Sequence, residues 1–148
     1  MKTQSWKKPT SGLVVHLYWT GAVFAALTIF VFASLPERQI PRSLEKSGEA
    51  GVSFELVFWK AGHFVGFSLF ASLITLAISK TKKLCLSQAE IFTVAVLVAT
   101  GIALTSEATQ FFSPGRIPRV NDIFLDLSGT LIGIRAAFLW KTITERER

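Results

Sequence analysis

The segment Ile91–Phe112, IFTVAVLVATGIALTSEATQFF, holds one ionisable side chain, Glu107, in a run otherwise free of charge. A bilayer-spanning helix needs about 20 consecutive, predominantly apolar residues, and this segment supplies them. Working outward, three more stretches pass the same length criterion: residues 13–35, 55–79 and 120–140. The expected fold is therefore all-α, a four-helix transmembrane bundle in a single membrane domain spanning residues 1–148.

Composition agrees. Half of the 148 residues are hydrophobic and only 18% are charged. A water-soluble core would require polar faces interleaved along every element, and the long apolar runs lack them. The net charge of +6 has a distribution that points to topology and away from nucleic acid. Nine basic residues (Lys2, Lys7, Lys8, Lys80, Lys82, Lys83, Lys141, Arg146, Arg148) fall on one side of the bundle, against five (Arg38, Arg42, Lys46, Arg116, Arg119) on the other. By the positive-inside rule both termini are expected in the cytoplasm. The first apolar run exceeds the 7 to 15 residues of a signal-peptide core, so it reads as an uncleaved span. Cys85 has no partner cysteine in the chain and no metal-ligand spacing around it.

The loops are short and rich in turn formers. Residues 36–54 contain Pro36, Pro41, Gly48 and Gly51, with one or two surface turns of helix expected over residues 42–49. The short connection at residues 80–90 predicts that the second and third spans run antiparallel as neighbours. Pro114, Gly115 and Pro118 end the third span, and Asn121 or Asp122 is suited to cap the fourth.

Ionisable groups inside hydrocarbon are costly and usually functional. At 1.5 Å rise per residue, Lys60 lies about 9 Å and His63 about 13 Å below the outer end of the second span, Glu107 about 8 Å below that of the third, and Asp126 about 9 Å into the fourth. Three helices thus deliver polar groups to one depth. Lys60 with His63 and Glu107 with Gln110 are three residues apart, and Asp122, Asp126, Gly129 and Gly133 recur at four, three and four, so each set forms one stripe. Gly129 and Gly133 form a small-xxx-small pattern that lets a neighbouring helix approach. The candidate ligand-binding residues are Lys60, His63, Glu107, Gln110, Arg116, Asp122 and Asp126. Two readings of the same charges compete: a structural ion-pair network knitting the helices, and a site for a polar or charged headgroup at the outer leaflet, beside which an acid-base pair of His63 with a carboxylate is a generic possibility. No nucleophile elbow, phosphate loop or paired-cysteine motif is present, and the two histidines have no metal-ligand spacing, so neither a metal nor another cofactor is expected.

The motifs Trp59-Lys60-x-x-His63-Phe64-x-x-Phe67, Glu107-x-x-Gln110-x-Phe112-x-Pro114-Gly115-Arg116 and Asp122-x-x-x-Asp126-x-x-Gly129-x-x-x-Gly133 together resemble the VanZ-like family of small bacterial integral membrane proteins. The resemblance covers roughly residues 58–134, with Trp59 where the family usually has an acidic residue and Asp126 where it often has asparagine. The family takes its name from a member associated with low-level resistance to the lipid-tailed glycopeptide teicoplanin. What the resemblance implies is a multi-pass protein of the bacterial cytoplasmic (inner) membrane and cell envelope, and the polar cluster read beside it points to membrane lipids or a lipid-linked envelope precursor as partners. An envelope-modifying binder of an amphiphile, an integral-membrane enzyme acting on a lipid headgroup, and a structural or assembly partner all remain compatible with it.

Overall fold

The computed structural model describes residues 11–35, 54–113 and 120–146. They form four long helices: α1 (Ser11–Ser34), α2 (Phe54–Lys80), α3 (Gln88–Phe111) and α4 (Val120–Arg146), with one 3₁₀ turn, Lys82–Leu84, between α2 and α3. All four are long and apolar enough to cross a membrane, and there is no strand among the described residues. The turns expected over residues 42–49, the Pro114–Gly115 stop and Arg116 lie outside the described residues.

Side-chain size is sorted on α1 and α3. On α3 the inward stripe is Ile91, Ala95, Ala99 and Ala103, recurring every fourth residue, and all are buried. On α1 it is Ala22, Ala25, Ile29 and Ala33. The bulky apolar side chains point the other way: Phe24 is 72% exposed, Leu97 65% and Phe124 65%. On these helices mostly small residues face inward, as in helices packed in lipid, where close backbone approach supplies the contact, while α2 fills the core with Phe67 and Phe70. In water the outward-facing apolar surface would be an aggregation site.

Helix α2 is the hub. Half of its apolar window is buried, against 17% for α1, and it touches each of the other three helices. Its most extensive contact is with α4. The sequence led us to expect α2 and α3 as neighbours; they do touch, but the closer pairing is between α2 and α4, which run parallel. His63 meets Asp126, Phe64 meets Gly129, Ser68 meets Gly133 and Lys80 meets Glu145, so the register climbs together along both helices. A Cβ on Gly129 would collide with the Phe64 carbonyl oxygen, and one on Gly133 with that of Ser68. Ser72 Oγ lies 2.9 Å from the carbonyl oxygens of both Ser68 and Gly133, sharing its single hydrogen across the interface.

Helix ends are fixed by local chemistry. Ser87 and Glu90 form a capping box at the start of α3, each side chain accepting from the other's backbone N–H. Val120 is already helical, so Asn121 and Asp122 fall in the first turn of α4 instead of capping it. There the Asp122 carboxylate favours the positive end of the helix dipole. Two tethers mark one end of the bundle, Trp19 Nε1 donating to Thr81 Oγ1 at 3.2 Å and Lys80 Nζ to Glu145 Oε1 at 3.4 Å. The opposite end carries the Phe32–Trp59 edge-to-face ring pair and the contact of Ser113 Oγ with the Ser34 carbonyl. Because Lys80 and Glu145 are partly solvent-exposed, Lys80→Ala is expected to change stability by less than about 1 kcal/mol in detergent denaturation.

Candidate functional site

The polar cluster is built at the end where α2 and α4 begin and α3 finishes. On α2, His63 follows the exposed Lys60 by three residues and turns into the interface. Its Nδ1 lies 3.0 Å from Oδ1 of Asp126 on α4, with the two side chains 9% and 0% exposed. Helix α3 brings Glu107 and Gln110, both buried, and Gln110 Nε2 donates to Glu107 Oε1 at 3.2 Å. His63, Glu107 and Asp126 each offer one nitrogen or oxygen atom such that all these atoms lie within 4.8 Å of one another. Three helices therefore meet at one polar cluster, in keeping with the common depth of these residues in the sequence.

The small residues explain why the cluster is tight. Gly129 sits one helical turn past Asp126 and lets the backbone of α4 reach that of α2, which holds the His63 and Asp126 side chains at hydrogen-bond distance. On α3 the alanine stripe ends at Ala103, and the buried Ser106 that follows donates its hydroxyl to the Ala103 carbonyl. The helix thus satisfies its own hydroxyl just before presenting Glu107.

Placement of the remaining predicted residues is uneven. Lys60 is exposed, and among the described residues no ion pair reaches it. Asp122 is half-buried one turn from Asp126. Arg116 lies outside the described residues. The pairing that closes the interface is thus His63 with Asp126. Sequence reading also passed over Ser72, Thr75 and Thr130. Thr75 Oγ1, Thr130 Oγ1 and Asp126 Oδ2 are buried with no hydrogen-bond partner among the described residues. A hydroxyl on a spanning helix commonly bonds the carbonyl one turn back, as Thr28 and Thr105 do here, so nothing in the spacing sets Thr75 or Thr130 apart.

A family model described as VanZ/LLP1 matches residues 3–141, nearly the whole chain. The chain belongs to the VanZ/LLP1 family. No curated protein and no solved structure gives a significant match. The VanZ/LLP1 match encloses all four helices up to Lys141 and every residue of the cluster. It identifies a multi-pass membrane protein with four apolar helices.

Chemically, the chamber combines a histidine, two carboxylates and an amide in an apolar surround. Low dielectric strengthens each hydrogen bond that is made and penalises each that is not. The set can accept hydrogen bonds from hydroxyl or amine groups, hold and transfer a proton along the His63–Asp126 contact, and supply nitrogen and oxygen donors to a cation.

Proposed function

We propose that this VanZ-family protein is a non-enzymatic, membrane-embedded binder of an amphiphilic cell-envelope molecule, whose headgroup enters the polar chamber from the outer leaflet. The amphiphile class covers a lipid-linked glycan, a phospholipid headgroup or a lipoglycopeptide of the teicoplanin kind. The observation that carries the reading is the convergence of His63, Glu107, Gln110 and Asp126 from three helices near one end of the bundle. An apolar core would hold four helices together without it, and burying charged pairs stabilises poorly for its desolvation cost. The positive-inside asymmetry of the sequence supports an orientation with this end outward and both termini cytoplasmic, in a bacterial inner membrane as the family suggests. In this arrangement Lys60, exposed at the chamber's rim, attracts anionic groups together with Arg116, while Glu107 and Asp122 accept hydrogen bonds from sugar or amine groups. Gln110 and His63 supply further donors and acceptors.

Native mass spectrometry of gently extracted protein tests the binder. The wild type is expected to retain a lipid or glycolipid, and Glu107→Gln to lose it while still inserting and folding. Equal retention by the variant would remove the Glu107 carboxylate from the site. A second reading draws on one contact, His63 Nδ1 to Asp126 Oδ1 at 3.0 Å, which is the geometry of an acid-base pair oriented by a carboxylate. That reading expects purified protein to convert labelled envelope lipids to product, whereas the binder retains them stoichiometrically and unchanged.

A further inference from the structure

We propose that His63, Glu107 and Asp126 form a site for one divalent transition-metal ion of the zinc class, a role that the sequence spacing gave no reason to expect. One ligand comes from each of α2, α3 and α4, and one donor atom of each lies within 4.8 Å of the other two. Zinc is bound by histidine nitrogen and carboxylate oxygen at about 2.0–2.2 Å, which in a tetrahedron separates the ligand atoms by about 3.4 Å. The 3.0 Å spacing between His63 and Asp126 and the 4.8 Å limit on the group bracket that value.

Two further observations point to a bound cation. Asp126 is 0% exposed, and its Oδ2 has no hydrogen-bond partner among the described residues. A buried carboxylate oxygen left this way carries a desolvation penalty that a metal bond would offset. Next, Gln110 Nε2 donates to Glu107 Oε1 at 3.2 Å, the outer-shell support that fixes a ligating carboxylate. Charge fits as well: a neutral imidazole with two carboxylates balances a divalent ion, leaving no net charge among the ligands and metal within the apolar surround.

The donor set selects the metal. Calcium seeks six to eight oxygen ligands, and magnesium keeps several waters in a strict octahedron. One imidazole and two carboxylates from protein suit zinc or a neighbouring first-row ion, with a fourth position open to water or an anionic oxygen. This assignment does not depend on the chamber engaging an amphiphile.

Full-length protein, solubilised in detergent and stripped with a chelator, should take up one equivalent of Zn2+ per chain by titration calorimetry. Excess Mg2+ should not compete. Gln110→Leu is expected to weaken uptake about tenfold, as loss of outer-shell support does, and His63→Gln or Asp126→Asn to abolish stoichiometric binding. Should those two variants fail to fold, Co2+ titrated into the wild type decides: intense visible bands of a four-coordinate nitrogen–oxygen site support the assignment, and the weak spectrum of aqueous Co2+ overturns it. Absence of saturable Zn2+ uptake by the wild type, or uptake unchanged in folded His63 and Asp126 variants, also overturns it. No lipid is added in these titrations and their readout is the metal alone, so their failure leaves the amphiphile reading to its own test.

Discussion

Gly133→Ala is expected to lower the unfolding free energy in detergent by roughly 3 kcal/mol, at the upper end of what overpacking one methyl group costs. The added Cβ would fall on the carbonyl oxygen of Ser68, a backbone atom that no rotamer change can move aside. Helices α2 and α4 would have to separate along their closest line of contact. Separation would also break the hydrogen bond from Ser72 Oγ to the Gly133 carbonyl and weaken the weak Cα–H contacts that such close approach permits. Gly129→Ala meets the Phe64 carbonyl in the same way and should behave alike. Gly101→Ala is the control. Nothing lies within 4 Å of its added methyl group, and alanine is the better helix former by about 1 kcal/mol. Stability measured by denaturant titration in micelles should therefore fall at Gly133 and Gly129 and hold or rise at Gly101. Equal behaviour of the three would mean that α2 and α4 do not meet through these glycines.

Asp126→Ala should cost about 3 kcal/mol or more, as removal of one member of a buried polar pair does. The carboxylate is fully buried, and its loss strands the His63 ring against α4 with no acceptor at 3.0 Å. Asp126→Asn keeps an oxygen at the same place and is expected to be milder. His63→Ala leaves both Asp126 oxygens unpartnered among the described residues and should approach the Asp126→Ala effect. Lys60→Ala, at an exposed side chain, should remain within about 0.5 kcal/mol of the wild type. This ranking separates the His63–Asp126 pair from a network organised around Lys60.

Much of the architecture was legible because a bilayer imposes length. Apolar runs of about twenty residues identify spanning helices, and a fixed rise per residue sets the depth of His63, Glu107 and Asp126 without any tertiary information. Which helix lies beside which was less legible. A short loop keeps α2 near α3, but the α2–α4 pairing is made by Gly129 and Gly133 against the backbone of Phe64 and Ser68. Gly62 and Gly66 have the same four-residue spacing, yet their added methyl groups would meet only side chains of Phe32 and Ile29 at 3.4 Å or more. Spacing alone cannot rank the two pairs.

Facing is similarly limited. Residues three apart differ by 60° around a helix, because each residue turns 100°, so Lys60 and His63 share a broad stripe without sharing a partner. His63 turns inward and Lys60 outward. The common depth of these groups brought them to one end of the bundle and left the pairing open. Metal-ligand geometry was invisible for a related reason. Its three donors come from positions 63, 107 and 126 on separate helices, and only folding turns that separation into a distance.

The measurement that bears most directly on the convergence of these helices is a double-mutant cycle between His63→Ala and Asp126→Ala, read as unfolding free energy in detergent. Side chains in direct contact couple by about 0.5–3 kcal/mol, and a buried hydrogen-bonded pair is expected in the upper half of that range. Lys60→Ala combined with Asp126→Ala should add without coupling. Additivity of the His63 and Asp126 substitutions within about 0.5 kcal/mol would contradict the account, because it would place the two side chains in separate environments.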